Sequence, residues 1–356
     1  MKRISLKKAA VFIASLLAAV SLWGCSPVAT DTMQKADEAL EKGDFDSASA
    51  LYDAAIEEGK QLQACYRGKG IALMGKMEYK DAAEAFEKAL ESATFVEKNL
   101  YHDGMEDDIR RYLASCYIHK GEPEKAVLVY DALIKNDDEN ITLYMERGTA
   151  KAASGDLDSA KLDFDKAINM DRHNYQMILD IAQTFDKYGG REYGVGYLAD
   201  VRADREDTID PVLKGRILYF LEDYEGAVNL LSSSAKTDEE AAMITCRCFM
   251  ALKNMKSARE VLDSMGEKVE RSPSLLNLSG NIYFRQKKFK KAAEVFEKAA
   301  SVASGSTELQ DILFNRAVAY EYAGDFAKAK ELFTDYLKQY SGDKQAVREL
   351  KFLNTR

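Results

Sequence analysis

Small and large apolar residues alternate along this chain with a long period. An alanine followed four residues later by an aromatic residue or leucine recurs at Ala48/Tyr52, Ala82/Phe86, Ala126/Tyr130, Ala160/Phe164, Ala227/Leu231, Ala258/Leu262, Ala292/Phe296 and Ala329/Phe333, with Gly194/Leu198 between the fourth and fifth pairs. Successive spacings are 34, 44, 34, 34, 33, 31, 34 and 37 residues. Twelve residues before each small residue stands another: Ala36, Gly70, Ala114, Gly148, Ala182, Gly215, Cys246, Gly280 and Ala317. Three residues before it the side chain is mostly large, as at Phe45, Tyr79, Leu157, Tyr224, Phe289 and Phe326. Polar turn signals such as Lys42-Gly43-Asp44 and Ser154-Gly155-Asp156 separate the two halves of each unit. The pattern predicts two helices per unit, crossing where the side chains are small, with the large residue one turn on filling the next groove. One such hairpin cannot bury its apolar face, so stacking must supply the core.

A period near 34 with these small and large positions resembles the tetratricopeptide repeat. The resemblance implies an all-α, right-handed superhelical solenoid of antiparallel helix hairpins. It covers residues 31–343 as nine repeats, at about 29–62, 63–96, 107–140, 141–174, 175–207, 208–238, 239–272, 273–306 and 310–343. Residues 344–356 are expected to form a capping helix, as repeat arrays require. Glu97 to Glu106 is an insertion between repeats two and three. Gly189-Gly190 and Gly194-Val195-Gly196 make the fifth repeat the expected kink, because glycine weakens helices.

Composition agrees with helix: proline is scarce at 4, hydrophobic residues make up 46% and charged residues 31%. Net charge is −9, and without residues 1–24, which hold Lys2, Arg3, Lys7 and Lys8, 46 basic residues face 59 acidic ones. Such a balance argues against nucleic acid as a partner, since binding it needs a basic face.

The first residues change the picture further. Four positive charges precede an uncharged apolar run from Ala9 to Leu22, too short to span a bilayer comfortably. The run ends in Leu22-Trp23-Gly24-Cys25, which resembles the bacterial lipobox. That resemblance implies a signal peptide over 1–24, a lipidated Cys25, a short linker over 25–30, and an exported protein held by lipid on the extracytoplasmic face of a membrane. Of the other cysteines, Cys246 and Cys248 are two apart on a helix and point to different sides, so they cannot easily bridge.

Candidate chemistry is sparse. His102, His119 and His173 lie in different repeats, and no metal-spaced cluster or phosphate-cradling loop occurs. Neither an enzyme nor a cofactor is expected. In the family the first helix of each hairpin lines a concave groove, which here places Arg216, Tyr219, Arg247, Asn277, Asn281, Arg285, Asn315 and Tyr322 on a partner-binding face, joined by Met243, Met250, Phe284 and Phe314. Asn277, Asn281 and Arg285 follow an i, i+4, i+8 spacing on one helix face. Asn281 and Asn315 stand where carboxylate-clamp members carry asparagine, but Asn277, Gln345 and Glu349 replace the clamp's cations. The expected role is a non-catalytic scaffold that binds a protein or peptide partner through an extended, acidic or carboxylate-ended segment. The alternative is a lipoprotein that captures a peptide or glycan for an envelope enzyme or transporter.

Overall fold

The computed structural model describes residues 31–93, 104–203, 209–306 and 308–356. The leader, Cys25, His102 and the insertion up to Asp103 lie outside the described residues. All regular structure among the described residues is helical, in two compact units within residues 23–205 and 206–356. The first holds five hairpins: α1 Asp31–Glu41 with α2 Phe45–Glu57, α3 Leu62–Gly75 with α4 Tyr79–Glu91, α5 Met105–Lys120 with α6 Pro123–Asn136, α7 Ile141–Ala153 with α8 Leu157–Met170, and α9 Tyr175–Lys187 with α10 Arg191–Ala203. The second holds four: α11 Pro211–Phe220 with α12 Tyr224–Leu231, α13 Glu239–Ala251 with α14 Met255–Ser264, α16 Pro273–Arg285 with α17 Phe289–Val302, and α18 Leu309–Ala323 with α19 Phe326–Gln339. A short α15, Lys268–Arg271, precedes α16, and α20, Lys344–Leu353, packs on α19.

Each hairpin reverses through the same device. The residue five before the crossing alanine or glycine takes a positive φ: glycine at 43, 121, 155, 189 and 324, but Met77, Glu222, Lys253 and Lys287 in the other four. Its left-handed turn lets the next amide bond back across the helix end, as Asp44 N does to Ala39 O at 2.9 Å. In five hairpins an aspartate or asparagine then caps the second helix, as Asp156 Oδ1 does by accepting from Ser159 N at 3.1 Å.

Packing follows the sequence pattern. Ala48, Ala82, Ala126, Ala160, Ala227, Ala258, Ala292 and Ala329 are fully buried at the crossings, as are Phe86, Phe164, Phe296 and Phe333 one turn on. A β-carbon on Gly148 would sit 2.6 Å from the Phe164 ring, and one on Gly280 would sit 2.5 Å from Phe296. In the fifth hairpin the glycines leave the second helix continuous from Arg191 to Ala203. A β-carbon on Gly194 would lie 2.8 Å from Ala182 O, so this glycine replaces the crossing alanine where two backbones come closest.

Candidate functional site

The candidate face is carried by the first helices of hairpins 6 to 9, α11, α13, α16 and α18. Pro211 and Pro273 open α11 and α16 at the first helical turn, where the missing N–H leaves no bond unmade. Asp210, Asp238 and Ser272 cap the exposed amides of α11, α13 and α16.

Three asparagines meet on this face. Asn281 Nδ2 donates to Asn277 O at 2.9 Å and to Asn277 Oδ1 at 3.3 Å, and Asn315 Nδ2, from α18, donates to the same Oδ1 at 3.1 Å. Turning the Asn315 amide over would set its carbonyl against that acceptor, so the orientation is fixed by its partner. The consequence is that Asn315 Oδ1, in a side chain only 1% exposed, has no donor. A buried carbonyl left in this state costs about 1–3 kcal/mol.

Arginines stand beside this row. Arg247 and Arg285 are exposed and make no ion pair among the described residues. Both act on the half-buried Tyr219: burial pushes its hydroxyl pKa up, and the two guanidiniums pull it down. Arg216 faces Glu240 at 3.7 Å, a loose pair between partly exposed side chains. The structure therefore gathers Tyr219, Arg247 and Arg285 in one positive field and Asn277, Asn281 and Asn315 in one amide cluster. Tyr322 belongs to a third group, with its ring 5.0 Å from Phe284 and 5.3 Å from Phe289.

Some expected lining residues are core. Met250, Phe284 and Phe314 are buried, and Phe314 packs edge-on against Phe333 at 5.4 Å and Tyr336 at 5.9 Å. Their helical positions fitted a groove, but the neighbouring helix covers them.

The first unit treats its arginines differently. Arg111 makes a two-pronged pair with Glu146, Nη2 to Oε1 at 2.6 Å and Nε to Oε2 at 2.9 Å, and Glu146 is only 6% exposed. Arg147 grips the buried Asp163 at 2.6 and 2.9 Å and reaches Asp131 at 2.7 Å, while Lys151 adds a 2.8 Å contact to Asp163. Arg67 pairs with Asp108 and lies over the Tyr112 ring. This ladder went unseen in the sequence because its partners stand 41 and 35 residues apart for Arg67 and Arg111.

Two of the three histidines lie in the described residues, each against a tyrosine ring. His119 stacks on Tyr79 at 4.2 Å and His173 meets Tyr175 edge-on at 6.4 Å. Among the described residues no His, Cys, Asp or Glu group could hold a metal ion, and no helix is long and apolar enough to cross a membrane.

Sequence models of the tetratricopeptide repeat match residues 33–97 and 67–141, 141–174, and 271–341, together more than half of the chain. The chain belongs to the tetratricopeptide-repeat family. This fold supports a protein–protein interaction scaffold, and tetratricopeptide domains bind protein or peptide partners. Among solved structures, a tetratricopeptide-repeat protein from Parabacteroides merdae is 17% identical, with 80% of this chain and 97% of that one covered and a TM-score of 0.41. YrrB, described as a tetratricopeptide protein with an unusual peptide-binding site, is 18% identical over 62% of this chain and 98% of its own, with a TM-score of 0.38. Human IFIT1, as a dimer with m7Gppp-AAAA, is 15% identical over 99% and 87%, with a TM-score of 0.46. No curated protein matches this tetratricopeptide-repeat chain in sequence.

Proposed function

We propose that this protein is a non-catalytic scaffold, exported and tethered by lipid at Cys25 to the extracytoplasmic face of a membrane, and that the first-helix face of hairpins 6 to 9 holds an extended acidic segment of a partner protein. The tether reading rests on the basic start, short apolar run and Leu-Trp-Gly-Cys box of the sequence.

The observation that carries the binding reading is the pair of exposed arginines, Arg247 and Arg285, with no ion pair among the described residues, in a chain whose net charge is −9. A partner carboxylate there gains a charge-assisted hydrogen bond without displacing an internal one. Beside it, the half-buried Asn277 presents the edge of an amide cluster whose other members, Asn281 and Asn315, are buried. Interface centres favour arginine and tyrosine, which Arg247, Arg285 and Tyr219 provide.

The test is binding of a fluorescent, Glu-rich extended peptide, followed by anisotropy. The double variant Arg216→Glu, Arg247→Glu should lose binding while its thermal unfolding stays that of the parent; equal binding by the variant removes the groove from the account. The amide cluster supports the second reading, capture of a short neutral peptide or glycan, because asparagine amides pair with peptide and sugar groups without charge. Binding of uncharged short ligands, with no effect of the arginine variants, would favour that reading.

A further inference from the structure

The turns of hairpins 7 and 8 carry a concentration of positive charge that the groove reading does not use. Residues 285–291 read Arg-Gln-Lys-Lys-Phe-Lys-Lys, and the preceding hairpin adds Lys253 at its own turn. Lys253, Lys287, Lys288, Lys290 and Lys291 are all exposed, and none has an ion pair among the described residues. Lys256 and Arg259 have only loose intrahelical partners, Glu260 at 3.7 Å and Asp263 at 3.8 Å.

The two turns are tied together through one ring. Arg259, from hairpin 7, lies 4.6 Å from the centre of the Tyr283 ring of hairpin 8, and Lys291 lies 4.9 Å from it. Two cations thus meet one phenol, with Asp263, 3.8 Å from Arg259, the carboxylate beside them, so a further anion would be drawn there. Burial pushes the Tyr283 hydroxyl pKa up, but hydrogen bonds and charge from Arg259 and Lys291 bring it below its ordinary value. Lys253 and Lys287 also occupy the left-handed turn position where five hairpins use glycine, as Met77 and Glu222 do elsewhere.

We propose that the turns of hairpins 7 and 8 form a docking surface for an anionic phospholipid bilayer, with Lys253, Lys287, Lys288, Lys290 and Lys291 meeting headgroups and Arg259, Tyr283 and Lys291 holding one headgroup phosphate. A bilayer fits better than an acidic protein segment because the charges sit on two exposed hairpin turns rather than along the first-helix face. Leu252, 42% exposed beside Lys253, supplies an apolar side chain for the headgroup boundary. The adjoining turns carry Glu222 and Asp223 on one side and Asp325 on the other, so the contact is limited to these two turns. Basic clusters of this size draw a protein to anionic lipid. A basic patch and a lipid tether are weak membrane signals that reinforce each other, though the surface is inferred independently of the tether.

The experiment uses the chain from residue 25 with Cys25→Ser, which carries no lipid and removes none of the described residues. Co-sedimentation with phosphatidylglycerol/phosphatidylcholine vesicles is compared with phosphatidylcholine alone. Binding should need the anionic lipid, weaken at high salt, and fall about tenfold or more in Lys287→Glu, Lys288→Glu, Lys290→Glu, Lys291→Glu. That variant changes only exposed side chains, and its thermal unfolding is measured alongside. The groove variant Arg216→Glu, Arg247→Glu should keep vesicle binding, so the two readings fail separately. Equal sedimentation with neutral vesicles, or undiminished binding by the lysine variant, overturns the proposal. Stabilisation by inorganic phosphate without vesicle binding would reduce the surface to a free-phosphate site. A lysine-dependent acidic peptide without vesicle binding would reassign it to a protein.

Discussion

The two units of this chain share their hairpin architecture and differ in how particular first-helix arginines are held, although Arg316 in the second unit also pairs, with Glu297 at 3.2 Å. In residues 31–203, Arg67, Arg111 and Arg147 each meet a carboxylate, and for the last two it is a buried one, Glu146 or Asp163. In residues 209–356, Arg247 and Arg285 are exposed beside Tyr219 with no ion pair among the described residues, and Arg216 meets Glu240 at 3.7 Å. A paired arginine with a desolvated partner is part of the fold. One left at the surface is available to a ligand. The positions differ as well: Arg67 and Arg111 stand three residues before the small crossing residue of their first helix, whereas Arg216 and Arg247 stand one after it.

The largest expected effect lies in the closed unit. Arg111→Leu leaves Glu146 buried and unpaired and should lower stability by about 3 kcal/mol, whereas Arg247→Leu should stay within about 0.5 kcal/mol of the parent. Chemical denaturation of both variants reads the difference, and equal losses would erase the distinction between the units.

Packing, by contrast, should not distinguish them. Gly148→Ala and Gly280→Ala drive a methyl into Phe164 and Phe296 respectively, and each should cost about 1–3 kcal/mol. A large cost in only one unit would show that the crossings are not equivalent.

Salt sharpens the contrast in a different observable. Exposed charges are screened far more than buried ones, so peptide binding through Arg247 and Arg285 should fall about tenfold between 0.1 and 0.5 M salt. Thermal unfolding of the full chain should move little over the same range. Binding that ignores salt would take the arginines out of the recognition.

The smallest effect concerns the orphaned carbonyl. Asn315→Leu removes an unsatisfied acceptor along with one hydrogen bond and should change stability by less than about 1 kcal/mol, while weakening peptide binding. A substantial loss of stability would mean that the amide cluster holds the fold together rather than serving a ligand.

Much of this was legible along the chain because it depends on local spacing. Ala48 and Tyr52, Ala82 and Phe86, or Ala292 and Phe296 stand one helical turn apart, and the turn glycines sit at a constant distance from them. The all-α hairpin fold follows from that phase. Helix propensity says nothing of why glycine stands at 194; the close approach of α9 and α10 there does. Phe314 was misread because helical position alone does not say which face the next hairpin covers.

The candidate face was partly legible. Asn277, Asn281 and Arg285 declare one helix face, but the cross-helix bond from Asn315 and the field of two arginines on Tyr219 need three dimensions. The run from Arg285 to Lys291 is plain in the sequence, but only the fold sets it on a hairpin turn beside Lys253 rather than on a first helix. The Arg111–Glu146 pair had no local signal at all, since its register depends on how one hairpin stacks on the next.

The most direct measurement places a photo-crosslinking residue at 247 or 285 and, in a separate variant, at 149 on the first-helix side of the closed unit, then illuminates intact cells and identifies the adducts. The account predicts one protein partner, crosslinked from 247 and 285 through an acidic segment and absent from 149. Adducts from 149 alone, or the same partner from all three positions, would contradict it.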